Sequence, residues 1–461
     1  MITADLNWIA DVLGVSYRGE NVAFSTIVTD SRKLQAGEVF LALKGPNFDG
    51  HKFAQTAQEL GAKALIVEVE QDVDIPQFIV ENSRLALGKL GAAVMAKVSP
   101  KTVAMTGSVG KTTVKEMTAA ILSQLGEVLA TDGNFNNDIG VPLTLLRLEE
   151  KHQYAVIELG ANHLGEIAYT TDLVKPHVAA ITNVAEAHLE GFGDLFGVAR
   201  AKGEIFLGLP ENGVAVVNAD SEFIDYWLAR LEDKQVTQFS ATQHKDIWAE
   251  NIILDDFGRA SFDLVYKGEA VRVDLPIPGS HNVTNSLVAS ALALPLGVSL
   301  KQVASGLSNM PQVKGRVNII EVSQKLTLID DSYNANPGSV RAAIDLLSGI
   351  NGKKILVLGD MAELGEDARV YHQEVGEYAR DKGIDHVYTL GVLSQSASDV
   401  FEQPGRHFST REKLVDALKQ ALLNDAASGN ERTTILIKGS RSSRMELLVD
   451  ELNNKKGEQS C

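Results

Sequence analysis

The sequence predicts an α/β fold in three domains. These are a small N-terminal α/β unit, a central doubly wound and mainly parallel sheet with a glycine-rich loop after its first strand, and a C-terminal Rossmann-like α/β unit. Three observations carry this expectation. From about residue 100 to residue 315, short apolar runs alternate with helical patterns, the alternation that builds parallel sheets. A second alternation of the same kind runs from about 316 to the end. The chain of 461 residues is also too long for one ordinary core, at about 100–200 residues per domain. The expected boundaries are 1–99, 100–315 and 316–461.

In the N-terminal unit, residues 39–43, 64–69 and 78–80 read as strands, and residues 53–60 read as a helix closed by Gly61. Two polar clusters lie beside them, Thr29-Asp30-Ser31-Arg32 and Asn47-Phe48-Asp49-Gly50-His51. Asp, Asn, Ser and Gly favour turns, and on the residues alone the turn reading is preferred. Asp30 with Arg32 and Lys44 would otherwise suit an anionic or heterocyclic ligand. The segment Lys97-Val98-Ser99-Pro100-Lys101 marks a boundary.

In the central unit the strands are 103–105, 155–159, 178–182 and 214–218. Alternating apolar residues over 260–275 predict a β-hairpin insert turning at Lys267-Gly268, and 282–296 reads as a helix rich in alanine and leucine. The C-terminal unit has strands at 326–329, 355–358, 387–390 and 435–437, with helices beginning near Ser339, Arg369, Arg411 and Ser443. Residues 453–461 are polar and expected to be disordered.

Composition narrows the function classes. Apolar residues make up 44% and charged residues 22%, an ordinary globular balance. The net charge of −17 argues against a protein that grips nucleic-acid backbones, though it leaves room for a local basic pocket. Cys461 is the only cysteine, which excludes an intramolecular disulfide and an all-cysteine metal site. Met1-Ile2-Thr3-Ala4-Asp5 lacks the basic and apolar regions of a secretory leader, and no apolar run approaches the ~18 residues of a membrane span. A cytoplasmic enzyme is expected.

The glycine-rich loop carries the first chemistry. An apolar run, residues 102–105, leads into Thr106-Gly107-Ser108-Val109-Gly110-Lys111-Thr112-Thr113, and Val114, Met117, Ala120 and Ile121 follow at helical spacing. Small residues let backbone N–H groups close around phosphate oxygens, the helix N-terminus adds partial positive charge, and Lys111 adds a full one. Thr112 places a hydroxyl where magnesium needs an oxygen. The full phosphate-loop pattern has glycine five residues before Gly110, where this chain has Met105, so the loop is a shortened variant. The plainer reading, a strand-to-helix turn with a solvated lysine, leaves the Lys-Thr-Thr phasing unexplained.

Ligands of open α/β sheets bind at strand carboxyl ends. Glu158 closes the strand 155–159, and Asn162 and His163 follow it. Glu186 and His188 follow the strand ending near Val184, and Lys202 lies one short helix later. Glu158 and Thr112 supply the oxygen ligands that magnesium prefers, whereas His188 is a less usual ligand for it. The plainer readings are a solvated carboxylate for Glu158, a packing residue for His188, and for Lys202 a surface lysine paired with Glu204. In the C-terminal unit Asp331 follows a strand, suited either to ribose hydroxyls or to a helix N-cap region, since a helix begins at Ser339. Arg316, at the junction, is a candidate phosphate clamp. The basic turn Lys438-Gly439-Ser440-Arg441 suits a carboxylate.

Together these residues resemble the Mur ligases. Within that family they are most similar to the branch that adds D-alanyl-D-alanine to a UDP-N-acetylmuramoyl tripeptide. The resemblance spans all three units. Besides the loop it rests on Gly133-Asn134-Phe135-Asn136-Asn137-Asp138-Ile139-Gly140-Val141-Pro142, Glu158-Leu159-Gly160-Ala161, Ala187-His188-Leu189-Glu190-Gly191-Phe192-Gly193 and Ala201-Lys202-Gly203-Glu204. It rests further on Gly279-Ser280-His281-Asn282, on Asp330-Asp331-Ser332-Tyr333-Asn334-Ala335-Asn336-Pro337 and on Gly359-Asp360-Met361-Ala362-Glu363-Leu364-Gly365. The loop itself marks only the superfamily, which includes folylpolyglutamate synthetase.

The resemblance implies ATP and two Mg²⁺ ions. Gly107 to Thr113 would cradle the phosphates, Lys111 holding β and γ. Thr112 and Glu158 would serve one Mg²⁺, and His188 and a carbamylated Lys202 the second. His281, Asn282 and Asn285 would line the adenine side, with Arg316 and Asp331 reaching phosphate and ribose. The uridine diphosphate would lie against Ser31, Arg32, Asp49 and His51, and the peptide substrates against Asn136, Asn137, Asn334 and Asn336. The expected partners are small molecules, namely the UDP-muramyl tripeptide, D-alanyl-D-alanine and ATP, acting on a monomer. The alternatives are a folylpolyglutamate-type ligase, a phosphate-loop switch or motor, and a non-catalytic nucleotide module.

Overall fold

A computed structural model of the chain describes residues 1–45, 48–185, 189–401, 405–427 and 432–453. Glu186, His188 and the tail 454–461 therefore lie outside the described residues. Three sheets organise the rest. A four-stranded parallel sheet takes Ile27–Val28, Val39–Leu41, Ala64–Val67 and Gln77–Ile79. A nine-stranded sheet forms the centre, and a six-stranded sheet the C-terminal unit. The predicted three-part α/β architecture is the one observed.

The central sheet begins with Lys101–Thr106, flanked in parallel by Tyr154–Glu158 on one side and Val178–Ile181 on the other. Period-two alternation sorts its side chains between two cores. Ala104 and Ile157 face one layer, while Val103, Met105 and Val156 face the other, against the helices Lys111–Leu122, His281–Ala293 and Leu300–Ser308. The predicted hairpin is present as Arg259–Tyr266 and Glu269–Pro278, antiparallel, with Lys267 at φ 50° and Gly268 at φ 80°. Two consecutive positive φ values are what a tight hairpin turn requires. The hairpin does not stand apart as an insert. Ile247–Leu254, unpredicted, joins it to the parallel strands, so it forms the edge of the nine-stranded sheet.

The C-terminal sheet runs Asn318–Ser323, Leu326–Asp331, Thr433–Lys438, Lys353–Gly359, His386–Leu390 and Arg406–Phe408 in spatial order. It is parallel apart from the first pair. Ile329, Leu356 and Leu436 fill one of its faces; Leu328, Ile355, Val357 and Ile437 fill the other. The carboxyl ends of its second, third and fourth strands, at Asp331, Lys438 and Gly359, lie side by side.

The helix Ser83–Val98 escaped prediction, and it matters most for the relation between units. It begins at an N-cap, the Asn82 carboxamide accepting from Leu85 N–H at 3.0 Å. Its buried residues, among them Ala86, Leu87, Leu90 and Val94, show no single-sided stripe, because the helix is packed on several sides. Leu6 and Ile9 of the helix Leu6–Leu13 meet it from the first unit, and Val141 and Leu145 of Gly140–Leu146 from the central one, in one apolar cluster. Glycine permits the close approach. A Cβ at Gly91 would lie 3.0 Å from the Pro142 carbonyl oxygen and 3.1 Å from its Cα. Gly91→Leu is expected to lower stability by about 1–3 kcal/mol through overpacking of this seam, read as a lower unfolding midpoint by calorimetry.

Candidate active site

The register of three strands assembles the site. Glu158 pairs with Met105 and Ile181 with Thr106, so the loop leaving Thr106 emerges between the Glu158 carboxylate and the residues after Ile181. Those residues brace it. Thr182 Oγ1 donates to the Val109 carbonyl at 2.8 Å, and Asn183 both donates to that carbonyl and accepts from Val109 N–H, each at 2.9 Å. Ser108 Oγ donates to the Ala185 carbonyl at 3.0 Å and accepts from Ala185 N–H at 2.9 Å. Two loop glycines are required by geometry. A Cβ on Gly107 would lie 1.8 Å from Thr182 Oγ1, and one on Gly110, at φ +83°, would lie 2.5 Å from Asn285 Oδ1. Thr182 and Asn183 were missed in the sequence; a Thr-Asn pair at a strand's carboxyl end was the available signal.

Lys111 opens the helix Lys111–Leu122 and folds back to donate to the Gly107 carbonyl at 2.6 Å. Burial pushes its pKa down, with Arg316 adding to the effect, while Glu158 and Glu363 oppose it. Thr112 Oγ1 donates to Glu158 Oε2 at 3.1 Å, and Asn136 Nδ2 donates to Glu158 Oε1 at 2.8 Å. Glu158 is buried, so the reading of a solvated carboxylate does not hold. Thr131 Oγ1 accepts from its backbone N–H and fixes the strand end. Asn137 accepts from Gly140 N–H at 2.8 Å and so holds the start of the next helix.

Lys202 corrects another expectation. Asp194 caps the helix Leu195–Gly203 by accepting from Gly197 N–H, and Lys202 on its last turn is only 2% exposed. Glu204 is no partner to it. The Glu204 carboxylate instead caps the helix Glu166–Val174, accepting from Gly165 N–H at 2.8 Å and Ala168 N–H at 3.1 Å. Among the described residues the Lys202 ammonium has no acceptor; it lies 5.9 Å from the Phe192 ring centre. Burial, and secondarily the charge of Lys111, push its pKa well below the usual lysine value.

The second wall of the cleft comes from the C-terminal unit. Asp330 Oδ2 accepts from Gly315 N–H at 3.1 Å and Tyr333 N–H donates to the Gly315 carbonyl at 3.1 Å, which fixes the junction just before Arg316. Arg316 then reaches across to Thr112 Oγ1 at 3.2 Å, its guanidinium 4.3 Å from the centre of the Tyr333 ring. Among the described residues its buried Nε has no hydrogen-bond partner, which leaves the guanidinium with unused donor capacity. Asp330 and Tyr333 belong to a segment that carries the resemblance, but no role of its own is legible in the sequence for either.

Asp331 does not cap a helix. Asn336 is the N-cap of Pro337–Ser348, accepting from Ser339 N–H at 2.8 Å. Asp331 is paired with the buried Lys438, Nζ to Oδ2 at 2.5 Å, and Lys438 also donates to the Asn334 carbonyl. Lys438 is therefore not open to a carboxylate, and of that basic turn Ser440 and Arg441 line the cleft. Ser108 to Thr112, Asn136, Asn137, Glu158, Lys202, Arg316, Tyr333, Asn334, Asn336 and Glu363 border one volume of about 500 Å³ between the two units.

Other predicted residues lie elsewhere. Asn282 and Asn285 are buried behind the loop, bonded to the Pro278 carbonyl and to each other, and His281 is exposed on the first turn of their helix. Ser31 and Arg32 lie in the predicted turn: Asp30 accepts from Arg32 N–H, Nε and Nη2 at 2.8–3.1 Å, and those bonds hold its carboxyl well below the usual range. His51 donates from Nδ1 to Asp49 at 2.6 Å and accepts from Glu68 N–H at Nε2, so both ring nitrogens are engaged. Thr113, on the first turn of the loop helix, is half-buried. Among the described residues no group of three or more His, Cys, Asp or Glu side chains gathers into a metal cage.

Unmodified, Lys202 binds protons less readily folded than unfolded, so its burden on stability is full below its depressed pKa and eases as pH rises from there to the usual lysine value. In buffer free of carbon dioxide, Lys202→Met is expected to raise stability at neutral pH, on the order of 1 kcal/mol, with the gain shrinking at alkaline pH. Thermal melts across pH check this.

Three family profiles match the chain: "Mur ligase family, catalytic domain" over residues 23–120, "Mur ligase middle domain" over 105–293, and "Mur ligase, glutamate ligase domain" over 315–441. The UDP-N-acetylmuramoyl-tripeptide–D-alanyl-D-alanine ligase of Escherichia coli K12 is 47% identical over 450 residues, covering 97% of this chain and 98% of that one. The crystal structure of MurF from Acinetobacter baumannii superposes with a TM-score of 0.92 at 38% identity, covering 98% of this chain and 99% of that one. MurF ligase from Thermotoga maritima, in complex with ADP, superposes at 0.82 with 29% identity, covering 93% and 97%.

Proposed function

The chain belongs to the Mur ligase family, and from that premise we infer that it joins D-alanyl-D-alanine to a UDP-N-acetylmuramoyl tripeptide, consuming ATP through an acyl phosphate, in the synthesis of peptidoglycan precursors. One observation carries the reading: a phosphate loop beside a buried carboxylate forms one wall of the cleft, and Arg316 of the opposite wall reaches Thr112. A free carboxylate is a poor acyl donor to an amine. Transfer of the γ-phosphoryl group to the tripeptide's terminal carboxylate makes it a good one, and the dipeptide amine then displaces phosphate. Lys111 holds the β- and γ-phosphates, the loop N–H groups cradle them, and Arg316 meets the developing charge with its planar fork of donors. Closure of the two walls keeps water from the acyl phosphate.

The residues present fit Mg²⁺. The Thr112 hydroxyl and Glu158 carboxylate adjoin as oxygen donors, the ligand type Mg²⁺ prefers, and such an ion would take its remaining ligands from phosphates and water. Such an ion supplies positive charge against the transferring phosphoryl group. A second would be held by His188 and by Lys202 as its carbamate. The depressed pKa of Lys202 supports this, since only a neutral amine adds carbon dioxide, and the product turns a buried cation into an oxygen anion.

The uridine nucleotide lies against Ser31, Arg32, Asp49 and His51 of the first unit, residues 1–99. Of the second unit, residues 100–315, exposed His281 would meet the adenine side with Asn282 and Asn285 packed behind it, and in the third, residues 316–461, Asp331 would turn from Lys438 to reach the ribose. Asn136, Asn137, Asn334 and Asn336 border the peptide substrates. Among the described residues no helix is long and apolar enough to cross a membrane. A monomer in the cytoplasm is the arrangement that suits small diffusible substrates.

Lys111→Ala is expected to abolish turnover while the fold melts as before, checked by coupled phosphate release beside calorimetry. In the unaltered enzyme, release should require both the nucleotide peptide and D-alanyl-D-alanine; vigorous release with neither would favour the switch or motor reading. Lys202→Ala should lose activity that short-chain carboxylic acids partly restore. A full-rate alanine variant would remove the carbamate and leave the ligase reading standing.

A further inference from the structure

Three carboxylates border the cleft: Glu158, Glu166 and Glu363. Glu158 is tied to Thr112 and Asn136. Glu166 accepts from the backbone N–H groups of Asn162 and His163 and meets His163 Nδ1 at 3.1 Å. Glu363, whose charge bears on Lys111, is set apart by its backbone. It is exposed on the loop leaving the strand Lys353–Gly359, and its backbone φ is +64°, a region that side chains other than glycine's rarely adopt. Glycine would relieve the strain, yet a glutamate stands there, and strain of this kind persists only where neighbours overdetermine it.

The neighbours do so. Met361 N–H donates to His372 Nε2 at 2.9 Å, and His372 Nδ1 donates to the Ala368 carbonyl at 2.6 Å. The Asp360 carboxylate accepts from the N–H groups of Val392, Leu393 and Ser394 at 2.8–3.0 Å, and its carbonyl accepts from Ser440 N–H. Leu364, next in the chain, is buried. The loop is thus pinned on both sides, and it presents the Glu363 carboxylate to the same cleft as Lys111 from the opposite wall.

The reaction needs a base on that side. D-Alanyl-D-alanine arrives as an ammonium at neutral pH, and an ammonium has no lone pair with which to attack. We propose that Glu363 receives the ammonium of the incoming dipeptide and takes its proton, a role that rests on the ligase reading above. The proton passes from nitrogen to a Glu363 carboxylate oxygen, and the freed lone pair forms the C–N bond at the acyl carbon. The bond from that carbon to the phosphate oxygen breaks, and phosphate departs with its electron pair. The second nitrogen proton leaves with phosphate, and Glu363 returns its own to water.

Glu363→Gln keeps the size and removes the basicity. Two acceptors are compared at saturating ATP and nucleotide peptide: D-alanyl-D-alanine, and hydroxylamine, which is uncharged at neutral pH and traps the acyl phosphate as a hydroxamate. The dipeptide-dependent kcat/KM is expected to fall about 10²-fold and to climb more steeply with pH than in the unaltered enzyme, while hydroxamate formation falls far less. Equal losses with both acceptors, or an unaltered dipeptide rate, overturn the proposal. Glu363→Gly controls for the backbone. It relieves the positive φ, so it should melt no lower and still lose the dipeptide reaction; full dipeptide activity in that variant overturns the proposal as well. Failure of the ligase reading itself is read separately, as phosphate release by the unaltered enzyme that ignores both peptide substrates.

Discussion

The cleft depends first on the parallel register of Lys101–Thr106 between its two neighbours. Side chains alternate with period two, so a slip of one residue would turn Glu158 from the site toward the opposite face and move Thr182 off the loop. Register is held by the cores on both sides: Ala104 and Ile157 belong to one, Val103 and Val156 to the other. The loop's own sequence is therefore only half of the phosphate site. The other half is a row of acceptors and donors from Thr182 to Ala185 that holds Val109 and Ser108 in place before any ligand arrives. Preorganisation of that kind is what gives backbone N–H groups their strength toward an anion.

The opposite wall obeys the same logic with different parts. Asp331, Lys438 and Gly359 end three adjacent strands, and what leaves those ends is pinned rather than free. Asp330 fixes Gly315, Asp331 fixes Lys438 and thereby Asn334, and Asp360 fixes both its own loop and the turn at Ser440. Three aspartates thus serve as anchors, each trading solvation for hydrogen bonds that position a neighbour. Arg316, Asn334 and Glu363 are the groups so positioned.

Much of this was legible in the sequence, and the failures have physical causes. Strands of the parallel sheets were readable because they are short apolar runs buried on both faces. The loop was readable because Gly107, Gly110 and Lys111 serve one purpose at fixed spacing. Ser83–Val98 was not readable, because a helix buried on several sides has no stripe to reveal its period. Ile247–Leu254 was not, because it ends in exposed residues and breaks register at a bulge near Asn251. At the site, Lys202 could be named but not its burial, since burial is decided by packing remote in sequence. Asp331 was expected near a helix start, but Asn336 takes that place, and the partner that decides its setting, Lys438, lies 107 residues away. Asp330, Thr182 and Asn183 act by holding other residues, and nothing local in a sequence marks a residue whose work is done through its neighbour.

The seam along Ser83–Val98 has a mechanical consequence. One apolar cluster runs unbroken from the first unit into the central sheet, with Gly91 against Pro142 at backbone distance, so those two units form a single stiff body. Among the described residues no apolar cluster runs from that body into the C-terminal unit; the contacts there include the braced turn at Gly315, the polar reach of Arg316, Arg432 over the Phe257 ring and Leu346 against Gly258. The protein is in this sense two bodies: one with a continuous core, and one set against it without that core. The nucleotide site proposed on the first unit would thereby stand at a constant distance from the phosphate loop, as a mark on a ruler does. The C-terminal unit carries the arginine and the second set of strand ends, and a boundary without a shared apolar core is the kind across which domains move.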